Sequence, residues 1–121
     1  MSTQACVVWG QDFTRYDFGV GHPMAPLRID LTARLARSLG VLDDVEVIDA
    51  GVADDETLLT VHDPAYVRRV EQLAADPSLA DTTFGIGTDD VPAFAGMHEA
   101  SARIVAGTLA VTQRVWRGEA E

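Results

Sequence analysis

The sequence has 121 residues, of which 47% are hydrophobic and 23% charged, a composition typical of a folded globular protein. Its net charge of -10 disfavours a nucleic-acid partner, because phosphate backbones would repel such a surface. The single cysteine, Cys6, excludes an internal disulfide and suits a reducing compartment. We expect no secretory leader and no membrane partner, since no apolar run nears the ~18–20 residues of a membrane span. A cytoplasmic location is the expectation.

Two short apolar segments predict strands. Residues 5–10 (ACVVWG) end in glycine, which favours a buried strand, and residues 45–50 (VEVIDA), followed by glycine, predict a second strand. Residues 11–25 carry glycines and a proline and predict an irregular loop. A loop of that length without structure of its own is usually functional.

A helix is predicted to begin near Pro26 and to end at Ser38 or Leu39. Asp30 and Arg34 have the spacing of a stabilising ion pair and are expected on the solvent side. The apolar residues recur every fourth position and predict a core-facing stripe, which consists of Leu27, Leu31, Leu35 and Leu39.

Two further helices are predicted after the second strand. Asp54 or Asp55 can cap a short helix that runs through His62. Asp63, followed by proline, then opens a helix that continues to about Ala75. The apolar face of this longer helix is expected to comprise Tyr66, Val67, Val70 and Leu73.

The last part of the sequence predicts a loop over residues 76–92 and one long helix from residue 92 or 93 to about Arg117. Glu99 and Arg103 should form an ion pair on that helix. The order strand, helix, strand, helix indicates an α/β fold with a parallel sheet. Two strands alone are too few for a stable sheet.

The residues show no complete catalytic or metal-binding motif. His22, His62 and His98 are far apart in the sequence, and neither His-His nor Asp-x-His occurs, so no metal site is predicted within the chain. Both Gly-x-Gly segments lack the third glycine of a dinucleotide fingerprint, and no serine lies in a Gly-x-Ser-x-Gly elbow. No catalytic residue is therefore predicted.

Two loops remain unusual. Asp89 and Asp90 lie between a glycine-rich bend and a proline, where either a solvated turn or a binding loop is possible. Residues 19–28 combine glycines, prolines, a histidine and an arginine, which predicts a constrained backbone. A purely structural corner and a functional loop are both open interpretations of this segment.

Three segments in order resemble the zinc-dependent family of class I histone deacetylases and AcuC proteins. Residues 16–28 (YDFGVGHPMAPLR) are similar to the family's Gly-His-Pro-x-x-Pro-x-Arg loop, and residues 59–67 (LTVHDPAYV) to its His-x-x-x-Tyr helix start. Residues 84–99 (FGIGTDDVPAFAGMHE) complete the match and lean towards AcuC. The resemblance implies an arginase/deacetylase-type three-layer α/β fold with a mostly parallel sheet.

The resemblance also implies roles for individual residues. Asp90 matches the loop aspartate that holds the substrate backbone at the rim of the active-site channel, as a charge-assisted hydrogen-bond acceptor. Arg28, with Gly21, His22 and Pro23, matches the wall of an internal cavity through which acetate is thought to leave. A guanidinium suits transient contact with a carboxylate product.

In this family the zinc ligands, the general-base histidines and the transition-state tyrosine come later in the sequence. We therefore expect residues 1–121 to form the N-terminal portion of a histone-deacetylase-like domain, with Zn²⁺ bound by the full-length member and none by this chain alone. The implied function is deacetylation of acetyl-lysine in acetoin or acetyl-CoA metabolism. The implied substrate is an acetylated protein, with acetyl-CoA synthetase as one candidate, and a homo-oligomer is a candidate assembly. A small-amide or polyamine deacetylase and a non-catalytic peptide-binding or dimerisation module are the alternatives.

Overall fold

The computed structural model describes residues 4–121 and has the expected alternation of strands and helices. The strands β1 and β2 pair in parallel, with Val7 opposite Val47. This arrangement confirms the predicted α/β order and the positions of both predicted strands, but the first strand is not buried as predicted, since Val7 is 36% exposed. The elements in chain order are β1 Cys6–Val8, α1 Leu27–Ser38, β2 Glu46–Ile48, α2 Asp55–Leu58, α3 Pro64–Ala75 and α4 Met97–Trp116.

Aspartate caps start α2 and α3 at the predicted positions. The Asp54 carboxylate accepts the backbone N–H of Thr57 at 2.8 Å, and α2 ends at Leu58 rather than continuing as a helix to residue 62. The Asp63 carboxylate accepts the backbone N–H of Ala65 at 2.7 Å, and a proline occupies the first turn of α3. Each cap satisfies a backbone donor that the helix itself leaves unpaired.

The buried core lies between α3 and α4. Leu73 of α3 is fully buried, and Val67 and Val70 on the same face are nearly so, which confirms the predicted apolar face. The loop residue Ile86 and Met97 of α4 close one buried cluster with Val70 and Leu73. Among residues 4–121, no helix is long and apolar enough to cross a membrane.

Helix α4 begins later than predicted. Gly96 has a φ of +78°, a left-handed conformation that interrupts the chain just before Met97, and its N–H donates to the Ala74 carbonyl at 3.0 Å. Residues 93–96 therefore lie outside the helix. The predicted ion pair between Glu99 and Arg103 is confirmed, with an N···O distance of 3.1 Å.

A glycine allows α4 to approach the sheet and the segment that follows β1. That segment was predicted to be irregular, but it contains the 3-10 helix Gln11–Arg15. A Cβ added at Gly107 would lie 3.0 Å from a methyl of Val8 and 3.1 Å from the ring of Phe13. The absence of a side chain at Gly107 therefore sets the distance between helix and strand.

The predicted orientation of α1 is wrong for the residues that the structure describes. The four leucines of the stripe, at positions 27, 31, 35 and 39, are 53–68% exposed. Asp30, expected on the solvent side, has only 13% of its side chain exposed, pairs with Arg34 at 3.0 Å and accepts a bond from Gln11 at 3.4 Å. Polar contacts to the 3-10 helix therefore hold one side of α1 inward, while its leucine stripe faces outward.

Candidate functional site

Asp90 lies at the tip of a closed loop formed by residues 87–91. The N–H of Gly87 donates to the Val91 carbonyl at 2.8 Å, and the N–H of Val91 donates to the Thr88 hydroxyl at 3.1 Å. Gly87 has a φ of +106°, and a Cβ there would lie 2.8 Å from the Ala80 methyl, so the loop depends on glycine at this position. Among residues 4–121, nothing donates a hydrogen bond to the exposed Asp90 carboxylate.

His22 joins the Gly-His-Pro loop to the Asp90 loop. The backbone N–H of Met24 donates to His22 Nδ1 at 3.1 Å, so Nδ1 acts as the acceptor and the proton of a neutral ring lies on Nε2. His22 Nε2 lies 3.3 Å from the Asp90 carbonyl oxygen, to which it can donate. The histidine thus holds the Asp90 backbone while the Asp90 carboxylate stays free.

Aromatic rings support the underside of this loop pair. Phe18 lies 4.6 Å from the His22 ring and 5.6 Å from the Phe94 ring, measured between centroids, and Tyr16 lies 5.3 Å from Phe94. Burial, with a smaller contribution from Tyr66, raises the pKa of Tyr16 above its ordinary value of 10.0. The Tyr16 hydroxyl therefore stays neutral at physiological pH, and its ring packs with those of Phe18 and Phe94 beneath the loops.

The predicted site residues line two separate clefts. An open cleft of about 680 Å³, here called the rim cleft, is lined by Gly21, His22, Pro23 and Asp90, among others. Arg28 instead lines a cleft of about 650 Å³, here called the arginine cleft. The structure thus brings Asp90 together with three of the predicted exit-cavity residues and places Arg28 elsewhere.

The arginine cleft is largely apolar. Val8, Trp9, Phe13 and Tyr16 form part of its wall. Among residues 4–121, the side-chain contact of the Arg28 guanidinium is with the Met24 sulfur, at 3.7 Å, and no carboxylate pairs with it. An unpaired guanidinium beside apolar side chains is suited to a small carboxylate, because it offers a planar pair of donors.

One group of potential ligands was missed by sequence reasoning. Asp55, Glu71 and His98 come from α2, α3 and α4, and their ligand atoms lie within 4.8 Å of one another. No spacing motif reveals such a group, because each helix contributes a single member. Residues suited to metal binding therefore meet in the fold, although the sequence contains no metal-binding motif.

The residues present do not match the zinc centre that the resemblance implies. That centre requires an Asp-x-His segment and a distal aspartate, and the 121 residues contain no Asp-x-His and no His-His. The three histidines also do not meet at one site, since His22 lines the rim cleft, whereas His62 and His98 contribute to a small pocket beside α3 and α4.

Several curated proteins similar to this chain are acetoin utilization proteins AcuC. The chain is 33% identical over 115 residues to the acetoin utilization protein AcuC of Bacillus subtilis (strain 168) and 29% identical over 114 residues to AcuC of Staphylococcus xylosus. These matches cover 93% and 92% of the chain but only 30% and 29% of the relatives. AcuC of Staphylococcus aureus (strain MSSA476) is 24% identical over 120 residues, which is 98% of the chain and 31% of that relative.

The chain thus spans less than a third of the length of these relatives. A family model for the histone deacetylase domain matches residues 22–121, which include the rim cleft residues His22, Pro23 and Asp90 as well as Arg28. The match begins at the histidine of the Gly-His-Pro loop and continues through α4. The chain belongs to the histone deacetylase domain family.

Proposed function

We propose that this chain supplies the substrate rim and part of the product cavity of an AcuC-like, zinc-dependent deacetylase that hydrolyses acetyl-lysine amides in the cytoplasm. The observation that carries the proposal is the closed loop of residues 87–91, whose tip presents the free Asp90 carboxylate beside His22. The protein substrate is an acetylated metabolic enzyme, with acetyl-CoA synthetase as a candidate.

The rim role follows from the hydrogen-bonding capacity of Asp90. An ionised carboxylate accepts backbone N–H groups through bonds roughly twice as strong as neutral ones. Because the loop is closed by its own hydrogen bonds and its carbonyl lies 3.3 Å from His22, the backbone that carries the Asp90 carboxylate is held in place before the substrate arrives. An acceptor on a fixed backbone orients a peptide with less loss of conformational entropy than one on a mobile loop.

The product role follows from Arg28. Its unpaired guanidinium lines the arginine cleft, whose apolar wall lets a small carboxylate keep its methyl group away from water. Acetate, the acid released from acetyl-lysine, has this chemistry. A bidentate contact would be strong enough to bind the product and, on a solvent-exposed side chain, weak enough to release it.

In the whole enzyme, zinc supplies Lewis-acid polarisation of the amide carbonyl and of a water molecule. The residues of this chain contribute orientation of the substrate and disposal of the product. We therefore expect the 121-residue chain alone to show no chelator-sensitive hydrolysis of acetyl-lysine peptides.

The coding sequence that follows the codon for Glu121 gives a simple test. The proposal predicts Gly-x-His-His and Asp-x-His segments in the same frame, since the family places its base and metal ligands there. A frame that continues into unrelated sequence contradicts the proposal.

A non-catalytic association module is the second candidate function. The observation that favours it is the exposed leucine stripe of α1, which leaves Leu27, Leu31, Leu35 and Leu39 more than half accessible. Contiguous apolar surface of this kind marks interaction sites in folded proteins. A folded, monomeric chain that binds acetyl-lysine peptides without zinc would favour a peptide-binding module over the first proposal, and a stable dimer would favour association.

A further inference from the structure

Three helices bring one imidazole and two carboxylates to the same place on the surface. His98 Nε2 of α4 lies 3.5 Å from Asp55 Oδ1 of α2 and 3.7 Å from Glu71 Oε1 of α3. Among residues 4–121, neither carboxylate has another side-chain partner. None of the three residues lines the rim cleft or the arginine cleft.

His98 Nε2 is an orphaned polar atom. It is shielded from solvent although 22% of the side chain is exposed, and it has no hydrogen-bond partner in the described part of the chain. Its distances to the two carboxylate oxygens exceed the ~2.7–3.2 Å of an N–H···O bond. A buried nitrogen without a partner carries a desolvation cost, so its position calls for a physical explanation.

The two distances from His98 Nε2 suit a shared ion better than a direct hydrogen bond. A protonated imidazole would close on a carboxylate to about 2.7–2.9 Å. Nitrogen and oxygen ligands bind Zn²⁺ at about 2.0–2.2 Å, so two ligands of one tetrahedral ion lie about 3.4 Å apart. The observed separations of 3.5 and 3.7 Å are close to that value.

The chemistry of the donor atoms also favours a metal ion at this place. One imidazole and two carboxylates form a mixed nitrogen and oxygen set that suits Zn²⁺ and similar divalent transition metals. The two carboxylates lie at the solvent side, with 54% and 43% of the Asp55 and Glu71 side chains exposed, which leaves room for a water as fourth ligand. The net charge of -10 draws cations to the protein.

We propose that Asp55, Glu71 and His98 bind a divalent transition-metal ion of the Zn²⁺ class, which ties α2, α3 and α4 together. The ion would satisfy His98 Nε2 and offset the charge of both carboxylates. Because binding requires all three helices in place, the ion stabilises the folded chain over the unfolded one. This site does not depend on the proposed deacetylase function.

The test is titration of the metal-free 121-residue chain with Zn²⁺ alone, followed by calorimetry and by NMR of the histidine ring protons. We expect one ion per chain, a shift of the His98 resonances and unmoved resonances of His22 and His62. Asp55→Asn, Glu71→Gln and His98→Asn should each weaken binding roughly tenfold or more, because even outer-shell changes cost about that much. Glu56→Gln, which alters the neighbouring exposed carboxylate, is the matched control and should bind like the unaltered chain.

A thermal melt tests metal binding by variants that fold too poorly for the titration. Zn²⁺ should raise the Tm of the unaltered chain and of Glu56→Gln but not of Glu71→Gln. If the metal-free chains are unfolded, Zn²⁺ should fold the unaltered chain and Glu56→Gln but not Glu71→Gln. The proposal is overturned if Glu71→Gln and Glu56→Gln bind Zn²⁺ equally or respond equally in the melt. Binding that leaves the His98 resonances unmoved, or no binding at all, also overturns it.

Discussion

Asp81 is a residue whose ionisation is set by its immediate neighbours. Its carboxylate accepts the backbone N–H of Thr83 at 3.1 Å and lies 3.1 Å from the Arg69 guanidinium. Hydrogen bonds from Thr83, followed by the contribution of Arg69, lower the pKa of Asp81 from 3.8 to about 2. Since the folded pKa is the lower one, the ionised carboxylate stabilises the fold above pH 3.8, and this contribution disappears as the pH falls through about 2.

We predict that Asp81 titrates at about 2 in a carboxyl-carbon NMR titration of the folded chain. Thr83→Ala should raise the pKa of Asp81, because it removes the side-chain hydrogen bond that is the largest single cause of the low value, while the backbone N–H at position 83 remains; Arg69→Gln should also raise the pKa. Titration of Asp81 at its ordinary 3.8 would contradict this account.

The rim loop shows at the same scale what the sequence can and cannot predict. The sequence singles out Asp90, because an acidic pair between glycines and a proline is unusual, and it singles out His22 within the Gly-His-Pro loop. Their contact, with His22 Nε2 3.3 Å from the Asp90 carbonyl, joins segments far apart in the chain and has no local signal. The separation of Arg28 into another cleft is likewise a property of the folded backbone.

Helices illustrate the limits of local patterns at the scale of elements. The bounds of α3 follow from the Asp63 cap and the proline after it, so they were predictable from the sequence. The start of α4 was not, because the left-handed Gly96 interrupts an otherwise helical pattern. The stripe on α1 identifies an apolar face but carries no information about what covers it, and the structure leaves it exposed.

Gly107 provides a test of the packing between α4 and β1. In an exposed helix, Gly→Ala would stabilise by roughly 0.5–1 kcal/mol. At position 107 the added methyl would press on Val8 at 3.0 Å and on Phe13 at 3.1 Å. We therefore expect Gly107→Ala to destabilise by about 1–3 kcal/mol in urea unfolding, as overpacking does.

The control for this substitution is Gln113→Ala on the exposed side of α4, which should change the free energy of unfolding by less than about 0.5 kcal/mol. A stabilised Gly107→Ala chain would show that α4 does not pack closely against β1.

The leucine stripe of α1 predicts association of the purified chain. An apolar face left 53–68% exposed gains free energy when it is covered, at roughly 25 cal/mol per Å². We expect a concentration-dependent increase in sedimentation coefficient, which Leu31→Glu should reduce. Thr32→Glu places the same charge on the same helix outside the stripe and should leave association unchanged; an equal effect of both changes would assign the association to net charge.

The fold class is confirmed for the whole molecule, since family membership places the chain in the arginase/deacetylase-type α/β fold. Alternation of strands and helices in the sequence gave the order of elements, and the parallel pairing of β1 and β2 agrees with it. The grouping of Asp55, Glu71 and His98 could not be predicted, because it depends on the relative placement of three helices. The order of elements and the individual candidate residues could thus be predicted from the sequence, whereas contacts between distant elements could not.

The central claim, that this chain forms the substrate rim of a deacetylase, is tested most directly in a chimera. The chain replaces the 115 matched residues of the Bacillus subtilis AcuC protein, and hydrolysis of an acetyl-lysine peptide is measured with zinc present. We expect activity that a chelator removes, with KM raised about tenfold to a hundredfold by Asp90→Asn, because a hydrogen bond to a charged group contributes about 1.5–3 kcal/mol. Asp89→Asn should leave KM unchanged. A folded, zinc-bound chimera without activity, or equal KM values for the two variants, would contradict the claim.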